Sequence, residues 1–241
     1  MGGDIMTSID AIINRQLLRW ELEKKQADVA EVQPDKAPPA PIVTISRQTG
    51  SRGSYFASRL ATSMSYQHLH REVIDRIAET AGYRTRIVES LDEKHRNELE
   101  LMIESLFTGK SVDHYDYVKH LHRIVLSMAQ LGGVILVGRG GNFILGLDRG
   151  FHIRIVAPLE KRVENLRLYR RVSTSEAEKM ISVSDKARRE FAKKVFDRQI
   201  DDPSGYDMTV NSAYLDVEDL IDVVSDAVKA KFQKLAFPEH L

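Results

Sequence analysis

Residues 42–58 constrain the fold of this chain most, because a β-branched run, a turn of small residues and a helix start follow one another there. The run Ile42-Val43-Thr44-Ile45 is typical of a buried strand, and Gly50 and Gly53 punctuate the turn that follows. Such a segment directs backbone N–H groups and a helix N-terminus towards one point, which favours an anion. The sequence therefore predicts a phosphate site at 46–54, with a tight turn that binds nothing as the alternative.

The composition limits what else the protein can be. A chain of 241 residues with 42% hydrophobic content suits one α/β domain with an appendage, and its 35 basic and 35 acidic side chains cancel. No overall field then favours nucleic acid or an anionic membrane, so any anion site must be local. The absence of cysteine excludes disulfides and thiolate chemistry, and neither a membrane-length apolar run nor a signal-peptide pattern occurs. We expect a cytoplasmic protein.

The N-terminal segment has a different pattern from the rest. Residues 7–26 place Ile9, Ile13, Leu17 and Trp20 on one helical face, and a proline-rich stretch follows at 34–41. We predict an amphipathic helix within 1–33, a linker at 34–41 and the main domain at 42–235. The apolar face is expected to pack on its own domain or on a second subunit, and contact with a membrane surface or another protein is the alternative.

The remaining periodicity alternates helices with short apolar strands. Such an alternation predicts a parallel sheet covered by helices on both faces, with ligands beyond the carboxyl ends of the strands. The predicted strands after the first are 68–69, 134–137, 151–156 and 206–211. The predicted helices are 55–65, 71–81 ended by Gly82, two within 84–131 separated by Gly109, 159–171, one or two within 173–200, and 217–232.

Several charged residues have both a structural and a functional interpretation. Arg139 follows a buried strand, where it could bind a ligand or cap the end of the sheet. Asp185 and Arg188 stand three apart on one helical face, and a surface ion pair is as good an explanation as a ligand contact. Most arginines of the second half are expected on solvated helix faces: Arg154, Arg162, Arg167, Arg170, Arg171, Arg188, Arg189 and Arg198.

A group of histidines between residues 113 and 122 has the composition of a metal site but not its spacing. His114, His120 and His122 lie near Asp113 and Asp116, yet no H-E-x-x-H pattern is present. We therefore expect them on a helix surface.

The order of motifs resembles the cytidylate kinase-like family of P-loop nucleotide kinases over roughly residues 42–232. The resemblance depends on Ile45-Ser46-Arg47-Gln48 with Gly50, Ser51 and Gly53, on Gly138-Arg139-Gly140 with Asn142, on residues 157–162, and on Asp185 with Arg188 and Arg189. It implies a three-layer P-loop NTPase-type parallel sheet, a helical acceptor-binding insertion at about 71–131 and an arginine-rich lid at about 171–200.

Two departures from the related enzymes stand out. Aligned on the strand end, Gly53 occupies the lysine position of the G-x-x-x-x-G-K-[ST] pattern and Ser54 the position of the Mg²⁺-binding hydroxyl, while Arg52 replaces a glycine. The lost lysine charge must be replaced by Arg47, Arg52 or a lid arginine if catalysis is to be fast. The related enzymes also have Gly-Arg-Asp where this chain has Gly138-Arg139-Gly140, so selectivity for cytosine does not carry over.

The resemblance also implies roles for individual residues. The donor nucleotide, ATP, would contact Ser46, Arg47, Gly50, Ser51, Arg52, Gly53 and Ser54, and Mg²⁺ would arrive with it and bind Ser54. The acceptor would contact Arg71, Arg139 and Asn142. The transferring phosphoryl group would meet Arg188 and Arg189, with Asp185 beside them as part of the catalytic set.

These implications lead to one principal hypothesis and two alternatives. The principal hypothesis is an ATP- and Mg²⁺-dependent phosphotransferase of the EC 2.7.4 type that acts on a nucleoside monophosphate similar to CMP or dCMP, or on a related small phosphorylated acceptor. The first alternative is a catalytically impaired nucleotide sensor that signals through the N-terminal helix. The second is a homodimer assembled through the face of Ile9, Ile13, Leu17 and Trp20.

Overall fold

The computed structural model describes residues 2–29, 40–107 and 116–236. These residues form ten helices: α1 Gly2–Val29, α2 Gly53–Met64, α3 Arg71–Glu79, α4 Ala81–Glu89, α5 Glu93–Phe107, α6 Asp116–Leu131, α7 Gly141–Leu145, α8 Leu159–Arg170, α9 Thr174–Phe196 and α10 Val217–Ala236. They also form five strands: β1 Val43–Arg47, β2 Gln67–Leu69, β3 Val134–Val137, β4 Phe151–Val156 and β5 Met208–Asn211. The described residues divide into a helical unit within 1–40 and 69–133, and a sheet unit within 41–68 and 134–241.

The strands form one sheet in the order β2-β3-β1-β4-β5, and helices flank it. Strand β1 runs parallel to both β3 and β4, with Ile45 opposite Val137 and Ser46 opposite Arg154. Strand β5 continues the parallel register on β4. The predicted parallel α/β architecture is confirmed, and it brings the carboxyl ends of β1, β3 and β4 to one edge.

The two faces of the sheet carry different side chains because successive residues of a strand point in opposite directions. One face packs against α2 and α10 in an apolar cluster that includes Ile45, Val137, Ile155, Phe56 and Val224. The opposite face holds Thr44 and Leu136, which lie so near Gly141 of α7 that an added Cβ atom would be 2.8 Å from Leu136 Cδ2 and 3.1 Å from Thr44 Cγ2.

The helical unit consists of α1 together with α3 to α6. The predicted N-terminal helix is present, and its side chains Ile13, Leu17 and Trp20 are 1–2% exposed within this chain. Trp20 Nε1 donates a hydrogen bond to the Gly132 carbonyl at 3.4 Å, and ion pairs join Arg76 to Asp10 and Arg86 to Glu21. The chain itself thus covers most of the apolar face. A homodimer through this helix stays a prediction, and its contacts would have to come from other side chains.

The helix boundaries differ from the sequence predictions between residues 80 and 92. Gly82 lies inside α4 and does not end a helix. The break lies at Thr80, whose extended backbone, with φ −100° and ψ 111°, separates α3 from α4. A second break follows where Asp92 accepts the backbone N–H of His95 at 2.8 Å and so starts α5. The predicted pair of helices in 84–131 is therefore wrong: α5 and α6 are preceded by most of α4.

Three further points complete the comparison with the sequence. Gly109, His114 and most of the predicted linker fall outside the described residues, and the domain boundaries stay predictions. The segment predicted as one or two helices at 173–200 is the single helix α9, and the short helix α7 was not predicted. In the described part of the chain, no helix combines the length and the apolar character needed to cross a membrane.

Candidate phosphate-binding site

The loop of residues 48–52 joins β1 to α2 and is fastened to the neighbouring strand. The Gln48 backbone N–H donates to the Ile155 carbonyl at 3.0 Å, and the Ala157 N–H donates to Gln48 Oε1 at 3.1 Å. Gly50 has φ +82°, and an added Cβ atom there would lie 2.5 Å from the Arg162 carbonyl oxygen. A side chain at this position is therefore excluded by both conformation and space.

Side chains from elsewhere in the sheet unit satisfy the carbonyl groups of the loop. Asn165 Nδ2 donates to the Gly50 carbonyl at 2.8 Å, and Ser212 Oγ donates to the Ser51 carbonyl at 2.7 Å. Ser51 itself is fully buried, and its hydroxyl donates to the Gln48 carbonyl at 2.9 Å. The shape of the loop is thus set before any ligand binds, which lowers the ordering cost of binding.

Asp185 of α9 holds the loop through its carboxylate. Its Oδ1 accepts hydrogen bonds from both the backbone N–H and the hydroxyl of Thr49, each at 2.8 Å. The same carboxylate pairs with Arg162 at 2.6 Å and with Arg188 at 3.1 Å. Asp185 is only 8% exposed, and the two arginines compensate its buried negative charge. Its contacts make it a positioning residue that joins loop, α8 and α9, which is more than a surface ion pair.

A cleft at the carboxyl end of β1 collects positive charge. We call it the arginine cleft; it is lined by Arg47, Arg154, Arg188 and Arg189, together with Gln48, Asp185 and Ile200. Arg188 also fixes the loop, because its Nη1 donates to the Thr49 hydroxyl at 2.7 Å and to the Arg47 carbonyl at 3.1 Å. The four lining arginines outnumber the two carboxylates that pair with them, Asp185 and Asp201, so the cleft favours an anion.

Sequence reasoning missed the placement of Arg154 and Arg162. Arg154 lies on β4 rather than on a solvated helix face, is 5% exposed, and donates to Ser46 Oγ at 2.7 Å while it pairs with Asp201. Its guanidinium also approaches the ring of Tyr206, whose pKa is raised mainly by burial. The available signal was a charged residue inside the otherwise apolar strand Phe151–Val156. Arg162 is similarly no surface residue, because its guanidinium is buried on Asp185.

Arg47 and Arg52, the two loop arginines, point to different neighbours. Arg47 Nε donates to Ser54 Oγ at 3.4 Å and its side chain lines the cleft. The Arg52 guanidinium instead stacks on the ring of Tyr55, with 5.4 Å between Cζ and the ring centroid. Arg52 has φ 59° and immediately precedes α2. Arg52 thus adopts the left-handed backbone conformation that glycine adopts more easily.

Ser54 is the residue that could serve Mg²⁺. It is exposed on the first turn of α2, whereas the hydroxyl of Ser51 is buried and already bonded. A hydroxyl oxygen suits this hard cation, which takes most of its other ligands from nucleotide phosphates and water. Within the described residues no group of three or more His, Asp or Glu side chains could hold a metal ion unaided. The residues therefore fit Mg²⁺ that arrives with a nucleotide, provided that Arg47 leaves the Ser54 oxygen.

The turn after β3 packs under the end of α9. Arg139 has φ 54° and stacks on Phe191, with 5.1 Å between its Cζ and the ring centroid. A Cβ atom added to Gly140 would lie 2.2 Å from Phe196 Cε2. This contact and a φ of +67° both favour glycine at position 140. The role of Arg139 towards an acceptor stays a prediction.

None of the three predicted acceptor residues, Arg71, Arg139 and Asn142, lines the arginine cleft. Asn142 is 7% exposed, and its Nδ2 donates to the Gly205 carbonyl at 3.2 Å, which is a contact within the protein. Arg71 belongs to the helical unit, where it begins α3 and lies 3.3 Å from Glu72. Of the histidines, His122 Nδ1 lies 2.8 Å from the Val118 carbonyl, as expected for a ring on its own helix.

Two curated proteins resemble this chain, and each match covers about half of it. A cytidylate kinase of Methanocaldococcus jannaschii is 26% identical over 125 residues, which cover 51% of this chain and 70% of that protein. A uronate isomerase of Corynebacterium glutamicum is 31% identical over 111 residues, which cover 46% of this chain but only 21% of that protein.

Among solved structures, an uncharacterized protein from Eubacterium ventriosum shares the fold with a TM-score of 0.54 at 17% identity, over 78% of this chain and 98% of that one. The model of the cytidylate kinase-like family matches residues 42–214, a span that contains β1, the loop, the turn after β3 and the whole of α9. The chain therefore belongs to the cytidylate kinase-like family.

Proposed function

We propose that the protein is a small-molecule kinase that transfers the γ-phosphoryl group of ATP, with Mg²⁺, to a nucleoside monophosphate such as CMP or dCMP or to a related phosphorylated acceptor. The observation that carries this proposal is the arginine cleft, which adjoins the internally bonded loop of residues 48–52 at the carboxyl end of β1. Family membership and the low-identity cytidylate kinase relative support the same class of reaction.

Phosphoryl transfer requires charge neutralisation and positioning more than covalent chemistry. In this proposal the loop at 46–54 binds the donor, and Arg188 and Arg189 neutralise the charge of the transferring group. An oxygen of the acceptor phosphate attacks, so no protein nucleophile takes part. Asp185 positions both Thr49 and Arg188 through the bonds described above. Mg²⁺, when bound through Ser54 and the nucleotide, would offset charge on the donor phosphates.

A nucleotide sensor is the second candidate, and the Asp185 contacts favour it. Because Asp185 and Arg188 join α9 directly to Thr49, a ligand bound at the loop would act on α9 through these contacts. The missing lysine at position 53 could have ended turnover without ending this coupling. The sensor predicts nucleotide-dependent protease protection of residues 171–200 with no product.

The test is phosphoryl transfer by the purified full chain with ATP and Mg²⁺. ADP release is measured with a panel of ribo- and deoxyribonucleoside monophosphates and compared with a reaction that lacks acceptor. Turnover that depends on the acceptor supports the kinase and ranks the acceptors. Nucleotide binding without turnover on any acceptor would refute the kinase and favour the sensor.

A further inference from the structure

We propose that Arg47 supplies the positive charge of the missing P-loop lysine, from the strand before the loop, and that Gly53 is glycine because the Arg47 side chain occupies its space. The role of Arg47 in catalysis rests on the proposed function, whereas its role in nucleotide binding can be tested without turnover. It assigns one of the two loop arginines to the donor phosphates and explains the departure at position 53.

The first step of the argument is steric. A Cβ atom added to Gly53 would lie 2.6 Å from Cβ and 3.1 Å from Cγ of Arg47, and 3.2 Å from Cβ of Ile155. The first of these distances is shorter than real Cβ contacts allow. Gly53 lies in the first turn of α2 with no positive φ, so the backbone itself would accept lysine. Any side chain at position 53 is therefore excluded mainly by the Cβ and Cγ atoms of Arg47.

The second step concerns where the Arg47 side chain leads. Its Nε lies 3.4 Å from Ser54 Oγ, on the residue next to the lysine position. A Cβ atom added to Gly138 would lie 2.9 Å from Nη1 of Arg47. The side chain thus crosses Gly53 and reaches between the start of α2 and the turn after β3, inside the arginine cleft. That position lies between the donor loop and the turn expected to hold the acceptor.

The third step separates Arg47 from Arg52. Arg52 is not among the residues that line the cleft. Its guanidinium lies instead over the ring of Tyr55 on the first turn of α2. The Arg47 carbonyl also accepts a hydrogen bond from Arg188 at 3.1 Å, which joins the backbone of Arg47 to α9.

The first experiment measures nucleotide binding, so that it does not depend on turnover. The affinities of ATP, ADP and AMP are determined by calorimetry for the full chain, for Arg47→Ala and for Arg52→Ala. Because a charge at this position contacts the β and γ phosphates, we expect Arg47→Ala to lower the preference for ATP over AMP by about 10- to 100-fold. Arg52→Ala is the comparison, and it should lose less of this preference than Arg47→Ala. Arg59→Ala, an exposed arginine of α2 that pairs with Glu218, is measured in the same way as the matched control, and its ATP preference should change by less than about 3-fold.

The second experiment moves the charge back to the lysine position. Gly53→Lys alone should weaken ATP binding, because the new side chain collides with Arg47. The double variant Arg47→Gly with Gly53→Lys removes the colliding Cβ and should recover part of the ATP preference that Arg47→Gly alone loses. Circular dichroism and the melting temperature show whether each variant is folded.

The outcomes distinguish this inference from the proposed function. If ATP preference is unchanged in Arg47→Ala, or falls equally in Arg52→Ala, the inference is wrong even where the protein turns over. If the full chain binds ATP through Arg47 but transfers no phosphoryl group, the kinase proposal fails and the assignment of Arg47 stands. If the full chain binds no nucleotide, the assignment is overturned as well.

Discussion

The two ends of the sheet both contain buried or half-buried ionisable side chains, but they balance charge differently. At the carboxyl end the four arginines that line the arginine cleft outnumber the two carboxylates that pair with them, Asp185 and Asp201. At the amino end, His152, Asp207 and Lys231 form a compact cluster around the start of β4, in which one acid faces one ammonium group. We call this second group the amino-end cluster.

Each polar group of the amino-end cluster has a partner within the protein. His152 is fully buried, with Nδ1 2.7 Å from the Thr44 hydroxyl and Nε2 2.7 Å from the Gly146 carbonyl. Because a carbonyl only accepts, Nε2 carries the proton and Nδ1 accepts from Thr44. Lys231 Nζ donates to the Leu147 and Gly150 carbonyls and to Asp207. Satisfied, charge-balanced groups of this kind stabilise a fold and have no charge left for a ligand.

The difference teaches how to separate structural charges from functional ones. Burial alone does not do so, since Arg154 and His152 are both buried on β4, two residues apart. Local charge balance is the better criterion, because an excess of one sign beside a preformed loop needs a counter-charge from outside. Substitutions at the carboxyl end should therefore change activity, and substitutions at the amino end should change stability.

Arg188→Gln should have the largest effect and acts at the carboxyl end. We expect turnover to fall by about 100-fold or more while nucleotide affinity changes less, because the guanidinium stabilises charge that develops in the transition state. Steady-state kinetics with the best acceptor of the panel gives kcat and KM separately. Lys186→Gln, an exposed position on the same helix, is the control. Unchanged turnover in Arg188→Gln would remove this residue from the mechanism.

His152→Ala tests the amino end. Removing the ring leaves the Thr44 hydroxyl and the Gly146 carbonyl without their partner and opens a cavity, so the free energy of unfolding should fall by about 2–4 kcal/mol. Urea unfolding monitored by circular dichroism measures this change. Turnover well below the melting temperature should stay that of the unmodified chain. A loss of turnover larger than the loss of folded protein would contradict the separation of the two ends.

The pH dependence of stability sharpens the same comparison. Burial is the main cause that lowers the pKa of His152 below its ordinary 6.5, although Asp207 and Asp148 nearby act in the opposite direction and Lys231 in the same one. Below about pH 6.5 the unfolded chain therefore binds a proton that the folded chain does not, so stability falls as the pH falls. The slope from one such group is at most about 1.4 kcal/mol per pH unit.

The measurement is urea unfolding at several pH values between about 5 and 8, since His titrates in this range. His120 has its pKa lowered by burial as well and contributes in the same direction. His152→Gln keeps two hydrogen-bonding groups but does not titrate, so the slope should be shallower in this variant. An identical slope in both proteins would exclude His152 as a source of the pH dependence.

Glu164→Gln should have the smallest effect. The carboxylate of Glu164 is exposed and pairs with Lys161 at 2.8 Å on the solvent side of α8, and this pair lowers its pKa. Exposed pairs are screened and contribute little, so we expect neither turnover nor the unfolding midpoint to change beyond measurement error. The variant gives the baseline against which both ends are compared. A clear effect here would show that the loss of any charge, balanced or not, changes turnover or stability, and the distinction between the two ends would fail.

The sequence determined the fold, because periodicity and glycine positions are local signals. The strand Val134–Val137 is a continuous apolar run, and the turn at Gly50 needs a residue without a side chain. The order of strands and helices then restricts the sheet to a parallel one with its site at the carboxyl edge. The break at Asp92 was not predicted, and the break at Thr80 was predicted two residues later, at Gly82, because single polar residues interrupt a helical pattern that continues on both sides.

Only the tertiary structure decided which charges act together. Asp185 and Thr49 are 136 residues apart in sequence, and Arg154 and Ser46 are 108 residues apart, so no spacing rule could join them. The sequence also left open where the side chains of Arg47 and Arg52 point, because both residues flank the same turn. Packing settled the direction, since the close approach of Arg47 to Gly53 and the stacking of Arg52 on Tyr55 are properties of the folded chain.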